Sequence, residues 1–392
     1  MDQQQRDRLV GLRRDLHRYP EPAWCEYYTT SRVVGELERV GVDELLVGTD
    51  LLAADARMAV PEDAERRAWH DRARAAGARE DVLAQCDGGL TGAIAVLERG
   101  EGPTVALRVD IDALPITESS ESTHHPADAG FRSENEGYMH ACGHDAHATI
   151  GVGVLEAVAE SDFSGTFKLL FQPAEEVIGG AKAVAESGVL DDVDHLLAVH
   201  VGLDHPTGEV VAGVQGFLAV RQFEATFQGE SAHAGGHPAD GRDAVQALAT
   251  AVQNLHSIRR HGDGATRVNA GVVSGGTATN IVPEHATLEG EVRGETTAQA
   301  PSAESDADLA DVVYGAAGDC DGVDSRLHSA PLGGSEDATY LMDRVQKQGG
   351  TATYVGVGTT HPGGHHTPTF DVDEQSLKIG VDVLSGAIER LW

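Results

Sequence analysis

The stretch "TVALRVDIDALP", Thr104 to Pro115, decides how the rest of the chain is read. Val105, Leu107, Val109 and Ile111 alternate along it, the period of a strand. It ends on two carboxylates, Asp110 and Asp112. "GTFKLLFQPAEE", residues 165–176, repeats the design: an apolar run through Phe171, then Gln172, Pro173, Glu175 and Glu176. "HLLAVH" (195–200) is a third run, closed by His200, and "TATYVGVG" (351–358) a fourth, followed by "TTHPGGHHTP". Helical patterns lie between, such as "ATIGVGVLEAVAE" with Ile150, Val154 and Val158 on one face. The pattern predicts an α/β unit with a largely buried sheet. Ligands of such sheets bind beyond the carboxyl ends of the strands, and here four strand ends each present acidic or metal-type side chains.

Outward from this frame, the chain opens with an amphipathic helix carrying Leu9, Leu12 and Leu16. "PEDAERRAWHDRARAAGARED" (61–81) is charged and helix-prone, as an inserted surface segment would be. Residues 217–297 change character. "FEATFQGES", "TRVNAGVVSGG" and "ATLEGEVRGET" are strand-like, and "GRDAVQALATAVQNLHSI" is a helix with Val245, Leu248, Val252 and Leu255 on one face. A compact α+β insert over 217–297 therefore splits a main unit of 1–216 and 298–392. The polar, Pro-bearing "TTAQAPSAESDAD" (296–308) is expected to be the return linker.

Asp and Glu number 63 against 29 Lys and Arg, a formal charge of −34, spread along the chain. Such density repels in dilute buffer and is screened in concentrated salt, so a halophile-type surface is expected. It also repels phosphate backbones, which argues against nucleic-acid binding. The N-terminal residues lack the apolar core of a secretory signal, and no run approaches the ~20 apolar residues of a membrane helix. Cys25, Cys86, Cys142 and Cys320 are not spaced as a disulfide framework or zinc knuckle. The expectation is a soluble, cytoplasmic protein with no membrane partner.

The densest chemistry is "MHACGHDAH", residues 139–147. Cys142 and His144 are two apart and project to one side of an extended or loop backbone; a helix is expected to start near Asp145, a good N-cap type. Thiolate plus imidazole suits zinc and related divalent ions, although a buried structural cysteine beside surface histidines would look the same. Glu175 and Glu176 are adjacent and point in different directions, so one can bind a metal while the other serves as a base; a solvated turn is the ordinary alternative. His200 alone is as easily a core histidine. His365 and His366 sit in a glycine-rich loop that lets backbone approach a site. Together these groups suffice for two divalent metals sharing a water, which would be acidified while a carbonyl is polarised, with a spare carboxylate to move the proton. The reaction class implied is hydrolysis of an amide or related acyl bond.

"MHACGHDAH", "FQPAEE", "AVH", "SAHAGGHPADGRDAV", "TNIVPEHATLEGEVRG", "GGSEDA" and "GHHTPTFD", in this order from near Leu12 to near Asp373, resemble the metallopeptidases of family M20, and within it the amidohydrolase subfamily D. The resemblance implies a two-domain fold: a mixed-sheet catalytic domain for two metals and an inserted α+β lid or dimerisation domain. It implies cleavage of an N-acyl amino acid, by the closer likeness p-aminobenzoyl-glutamate to p-aminobenzoate and glutamate. Two divalent ions per site are implied, Mn²⁺ first and Zn²⁺ second. Cys142, His144, Glu176, His200 and His366 become metal ligands, with His365 not favoured. Glu175 becomes the general base and Asp112 the carboxylate that orients the site. His233 helps polarise the scissile carbonyl, reaching the active site of a partner subunit, so a homodimer or a heterodimer with a related subunit is expected. Asn280 and Arg293 bind the substrate carboxylate, as arginine forks do; an exposed strand cation is the plain alternative for Arg293.

The sequence departs from the family in one place. The lid normally runs β-α-β-β-α-β, whereas "EVRGETT" passes almost at once to "AQAPSAESDADLADVV", with no second helix or last strand. A sheet face left uncovered exposes apolar surface, which puts dimerisation and the role of His233 in question but not the ligands. A low-activity metal-binding partner subunit is the alternative reading. A zinc-stabilised binding protein is disfavoured, because structural zinc ligands come at short paired spacings and these are scattered from Cys142 to His366.

Overall fold

The computed structural model describes residues 1–258, 266–294, 303–361 and 363–392. The chain divides into two compact units, Met1–Gln215 with Ala303–Leu332 and Asp337–Trp392, and Gly216–Ser302 with Gly333–Glu336. The expected return linker lies largely outside the described residues.

The first unit is a mixed α/β layer structure around an eight-stranded sheet. Its strands lie in the order Glu44–Val47, Ala93–Glu98, Thr166–Gln172, Thr104–Asp110, His195–Val201, Thr351–Val357, Glu209–Val211, Ser325–Leu327. The four central strands, 166–172, 104–110, 195–201 and 351–357, run parallel. Their register sets Asp110 beside Gln172 and His200 beside Gly356. Four sequence-distant strand ends therefore open at one edge of the sheet, and the loops beyond them become neighbours. The strands are apolar on both faces because helices cover both. Phe167, Leu169 and Phe171, like Val105, Leu107 and Val109, are fully buried.

The helix His144–Glu160 packs on this sheet with almost every residue buried. Its start differs from the sequence expectation. The N-cap is Gly143, in left-handed backbone with φ 90°, and Asp145 stands in the first turn. Glycine is required there twice over, since a Cβ would also lie 2.5 Å from Val201 Cγ2. Asp145 is instead drawn into an ion-pair network described below. The helix Asp63–Ala75 of the charged segment turns Trp69 and Ala73 into the core and leaves Arg67, Arg72 and Arg74 exposed, with Arg66 half-buried. Among the described residues no helix is long and apolar enough to cross a membrane.

The second unit has a three-stranded antiparallel sheet in the order 266–275, 285–294, 219–228. The helix Ala244–Ser257 closes one face, and Asp243 caps it by accepting from the Gln246 N–H at 2.9 Å. Ala244, Leu248, Ala286 and Leu288 form the small core. Residues 295–306 alone separate this sheet from the helix Ala307–Gly318 of the first unit, fewer than an average helix and strand with their turns occupy. Val272 and Val273 are 56% exposed.

Candidate metal centre

The loop Pro173–Ala181 follows the strand 166–172 and carries Glu175 and Glu176. Ala174 and Ile178 hold left-handed backbone, φ 57° and 53°, a conformation that persists in non-glycine residues only where the surroundings impose it. Three buried carboxylates impose it here. Glu26 accepts from the Ala174 N–H at 2.8 Å. Asp112 accepts from the N–H groups of Glu175 and Glu176, one on each oxygen at 3.0 Å. Asp337 accepts from those of Gly180 and Ala181 at 3.2 and 3.0 Å. Gln172 and Arg108 also bond Asp337, at 2.8 and 3.2 Å, and Arg108 pairs with Asp110. Burial and the nearby Asp112 charge push the Glu26 carboxyl up to about 8. The sequence motifs that contain Gln172 and Asp337 thus serve as supports beneath the acidic loop.

The other loops converge on it. His144 Nδ1 faces the Asp112 backbone carbonyl at 2.9 Å, and His200 Nδ1 faces the Val201 carbonyl at 2.8 Å. A carbonyl only accepts, so both rings carry a proton on Nδ1, which leaves Nε2 as the nitrogen able to face a metal. His200 Nε2 lies 3.4 Å from Cys142 Sγ. His144 Nε2 is buried with no hydrogen-bond partner among the described residues, and lies 3.7 Å from Asp110, 3.9 Å from Glu175 and 3.7 Å from Glu176. His366 Nε2 is 3.6 Å from Glu176, and its backbone N–H donates to the Ala141 carbonyl at 2.8 Å.

Of five groups of possible ligand atoms among the described residues, two share Cys142. Cys142, His144 and His200 form one; Cys142, Glu176 and His366 form the other. Within each, the donor atoms lie within 4.8 Å of one another. Donors at about 2.0–2.3 Å from a tetrahedral ion are separated by roughly 3.3–3.8 Å, the range of the Cys142–His200 distance. The donor set therefore fits a pair of divalent ions. The electrostatics point the same way. Burial disfavours the His144 cation, yet Asp110, Asp112 and Glu176 raise its pKa to about 10. A pocket that would protonate a buried imidazole at neutral pH is one that attracts a metal cation.

Asp110 and His147 form a further layer that the sequence reading leaves unassigned. The Val201 N–H donates to His147 Nε2 at 2.8 Å, so Nδ1 holds the proton and gives it to Asp110. Both nitrogens of His147 are thereby used. Burial raises the Asp110 carboxyl, but His144, Arg108 and His147 hold it well below the usual carboxylate range. His365, the neighbour of His366, lies 3.7 Å from Cys142 Sγ through Nδ1 and accepts the Leu203 N–H at Nε2; burial, then His361 and His366, lower its pKa to about 3.

Behind "MHACGHDAH" runs a second buried network that joins Asp145 and Asp371, both within quoted motifs, to Arg13, His17, Glu118 and His124, which no motif contains. Arg13 bonds Asp145 at 2.8 Å and Asp371 at 2.6 Å. His17 bridges Asp145 at 2.8 Å and Glu118 at 3.0 Å, and His124 reaches the same Glu118 oxygen at 2.8 Å. Its members come from the first helix, the stretch after the strand 104–110, the first turn of the helix His144–Glu160 and the segment after His366, so it ties the surroundings of both proposed ligand segments to the first helix.

The remaining expected residues belong to the second unit. The two-residue strand Ala232–His233 pairs with Ile281–Val282, and the Ala234 N–H donates to the Asn280 carbonyl at 3.0 Å. His233 and Asn280 are thereby neighbours. His233 Nδ1 accepts from the Gly235 and Gly236 N–H groups at 3.1 and 3.0 Å, which leaves an exposed Nε2–H as a donor. Arg293 is engaged with Glu291 by a two-armed contact at 2.8 and 3.0 Å.

A model of peptidase family M20/M25/M40 matches residues 106–390. Indole-3-acetyl-aspartic acid hydrolase of Enterobacter agglomerans is 41% identical over 96% of this chain and 94% of its own. A p-aminobenzoyl-glutamate hydrolase subunit from Escherichia coli is 40% identical over the same shares, 96% and 94%. Among solved structures, the aminobenzoyl-glutamate utilization protein from Klebsiella pneumoniae superposes with a TM-score of 0.79 at 33% identity, covering 99% of this chain and 96% of the other.

Proposed function

Because this chain belongs to peptidase family M20/M25/M40 and is an amidohydrolase of N-acyl amino acids, we propose that it cleaves p-aminobenzoyl-glutamate to p-aminobenzoate and glutamate. The observation that carries the mechanism is the pair of three-donor groups sharing Cys142, with Glu175 beside them. In this reading Cys142, His144, Glu176, His200 and His366 would hold the two divalent ions. Such a pair, when bound, supplies an acidified water and a polarised carbonyl. We favour Mn²⁺, with Zn²⁺ as the second choice on the softness of thiolate and imidazole.

The chain's own groups do the rest. Glu175 takes the proton of the attacking water on its carboxylate and gives it to the departing amine nitrogen. Asp112 fixes Glu175 and Glu176 in register through their backbone N–H groups. His233, with its Nε2–H outward, would donate to the substrate carbonyl oxygen in the active site of a partner subunit, and Asn280 and Arg293 would take the amino-acid carboxylate. For Arg293 this requires the guanidinium to exchange Glu291 for the substrate. The names of two relatives as aspartic-acid and glutamate conjugate hydrolases favour an acidic leaving amino acid. One of those relatives is named as a hydrolase's subunit, which supports assembly with a related subunit, or with a second copy, for this chain too. The formal −34 charge supports a requirement for concentrated salt, and we propose a cytoplasmic location.

The test is release of p-aminobenzoate by the pure chain in concentrated KCl with added Mn²⁺, beside a metal-stripped control. Metal-dependent release is expected. Absence of release from a metal-loaded chain, with cleavage of another N-acyl amino acid, would overturn the substrate. Absence of all turnover until a second subunit is added would favour the low-activity partner reading, which the short insert motivates.

A further inference from the structure

We infer that His365 is a positioning residue that donates its Nδ1–H to the Cys142 sulfur and restrains it where the two donor groups meet. The inference rests on the metal reading above.

The proton's location follows from the far side of the ring. The Leu203 N–H points at His365 Nε2 over 3.2 Å. A proton on Nε2 would set two donors against each other, so Nε2 carries the lone pair and Nδ1 the hydrogen. Nδ1 lies 3.7 Å from Cys142 Sγ, within hydrogen-bonding distance of a sulfur acceptor. The same tautomer means that His365 cannot offer a lone pair to a metal through Nδ1.

The seat for this ring is built. Gly202 has φ 83°, and a Cβ there would come 2.5 Å from His365 Nε2, so any side chain would displace the ring. Leu203 and Asp204 continue in left-handed backbone, φ 52° and 64°. Three successive residues of this kind, directly after the strand that bears His200, turn the Leu203 N–H toward the imidazole. Phe370 packs 4.8 Å from the ring centroid and His200 5.3 Å, fixing its plane. A bridging thiolate is the most electron-rich donor of the site, and an N–H directed at it withdraws density and restrains its position.

The experiment uses the full chain loaded with Co²⁺, whose thiolate charge-transfer band reports electron density on sulfur. The variant His365→Phe keeps a ring without a donor, and His365→Gln restores an N–H. The band is expected to move to longer wavelength in H365F and back toward the wild-type position in H365Q. Cobalt binding should weaken about 10- to 100-fold in H365F. An unmoved band with unchanged affinity in H365F overturns the inference. No band in the wild-type chain overturns the metal reading instead, which keeps the two failures apart. A second measurement needs no variant to fold: in ¹⁵N-histidine-labelled wild-type protein, His365, identified by its proximity to Phe370, should carry its proton on Nδ1. A proton on Nε2 overturns the inference outright.

Discussion

The two units hold their proposed site residues still by opposite means. Around Glu175 and Glu176, five backbone N–H groups of one loop end on three buried carboxylates drawn from residues 26, 112 and 337. Around His233, two N–H groups of the next turn suffice, and the residue stays exposed. The difference is one of redundancy. Buried, mutually restrained polar groups in a low dielectric make a rigid constellation, and losing one partner strands another. An exposed histidine held by its own turn can be removed without disturbing anything else.

The largest effect that would sharpen this contrast is at the base. Glu175→Gln should lower kcat by about 10²–10⁴-fold while metal content, measured by atomic emission, stays at the wild-type level. Retained turnover would remove Glu175 from its role. Asp112→Ala should come next. It strands the N–H groups of Glu175 and Glu176, each costing on the order of 1–3 kcal/mol when buried and unsatisfied. Both the denaturation midpoint and the metal content should fall. His233→Ala, by contrast, should cut kcat roughly 10- to 100-fold with midpoint and metal unchanged. If it destabilises the protein as Asp112→Ala does, the contrast between the units collapses.

A smaller effect is expected from pH. Burial opposes the His17 cation, but hydrogen bonds to Asp145 and Glu118 raise its pKa to about 9, against an unfolded value near 6.5. A group raised on folding contributes stability that is complete below the unfolded pKa and lost as pH climbs through the folded one. Stability should therefore fall between about pH 6.5 and 9. His140 and Arg13, which also face His17, do not remove this sign, because the first is kept neutral by burial and the second is always charged. Denaturant titrations of wild type and His17→Gln across that window should converge at its upper end. Parallel curves would show that His17 does not titrate there.

Much of the first unit is legible in the sequence because parallel strands announce themselves as apolar runs and the residues after them carry the chemistry. Asp112, Glu175, Glu176 and His200 each follow or close such a run, and the register brings them to one edge. The buried supports are harder to see. Arg13 occupies the i+4 place on the stripe set by Leu9, Leu12 and Leu16, so a charge on a buried face is a signal present in the helix. Its partners Asp145 and Asp371 cannot be read from it, because a hydrogen bond between residues hundreds apart leaves no period in the sequence. Asp337 is similar: its motif is visible, but the groups it serves lie on other elements. The helix start near His144 departs from the expected cap for a local reason, since a left-handed glycine takes the N-cap and frees Asp145 for Arg13 and His17. The unassigned His147 stands in the quoted cluster, and only its two hydrogen bonds, from the Val201 N–H at Nε2 and to Asp110 at Nδ1, set it apart from the proposed ligands.

The tethers of the acidic loop have a consequence for biosynthesis. Glu26 and Asp112 precede the loop in the chain, but Asp337 lies about 160 residues beyond it, and His366 is later still. While the ribosome is making the insert, the Gly180–Ala181 end of the loop has no carboxylate to close on and the Cys142 pair lacks its last imidazole. On the proposed assignment, the ligand set would be completed only when the final stretch of chain emerges and docks against the sheet. A nascent chain stalled before residue 337 should therefore bind metal poorly, and the centre matures as one of the last events of folding.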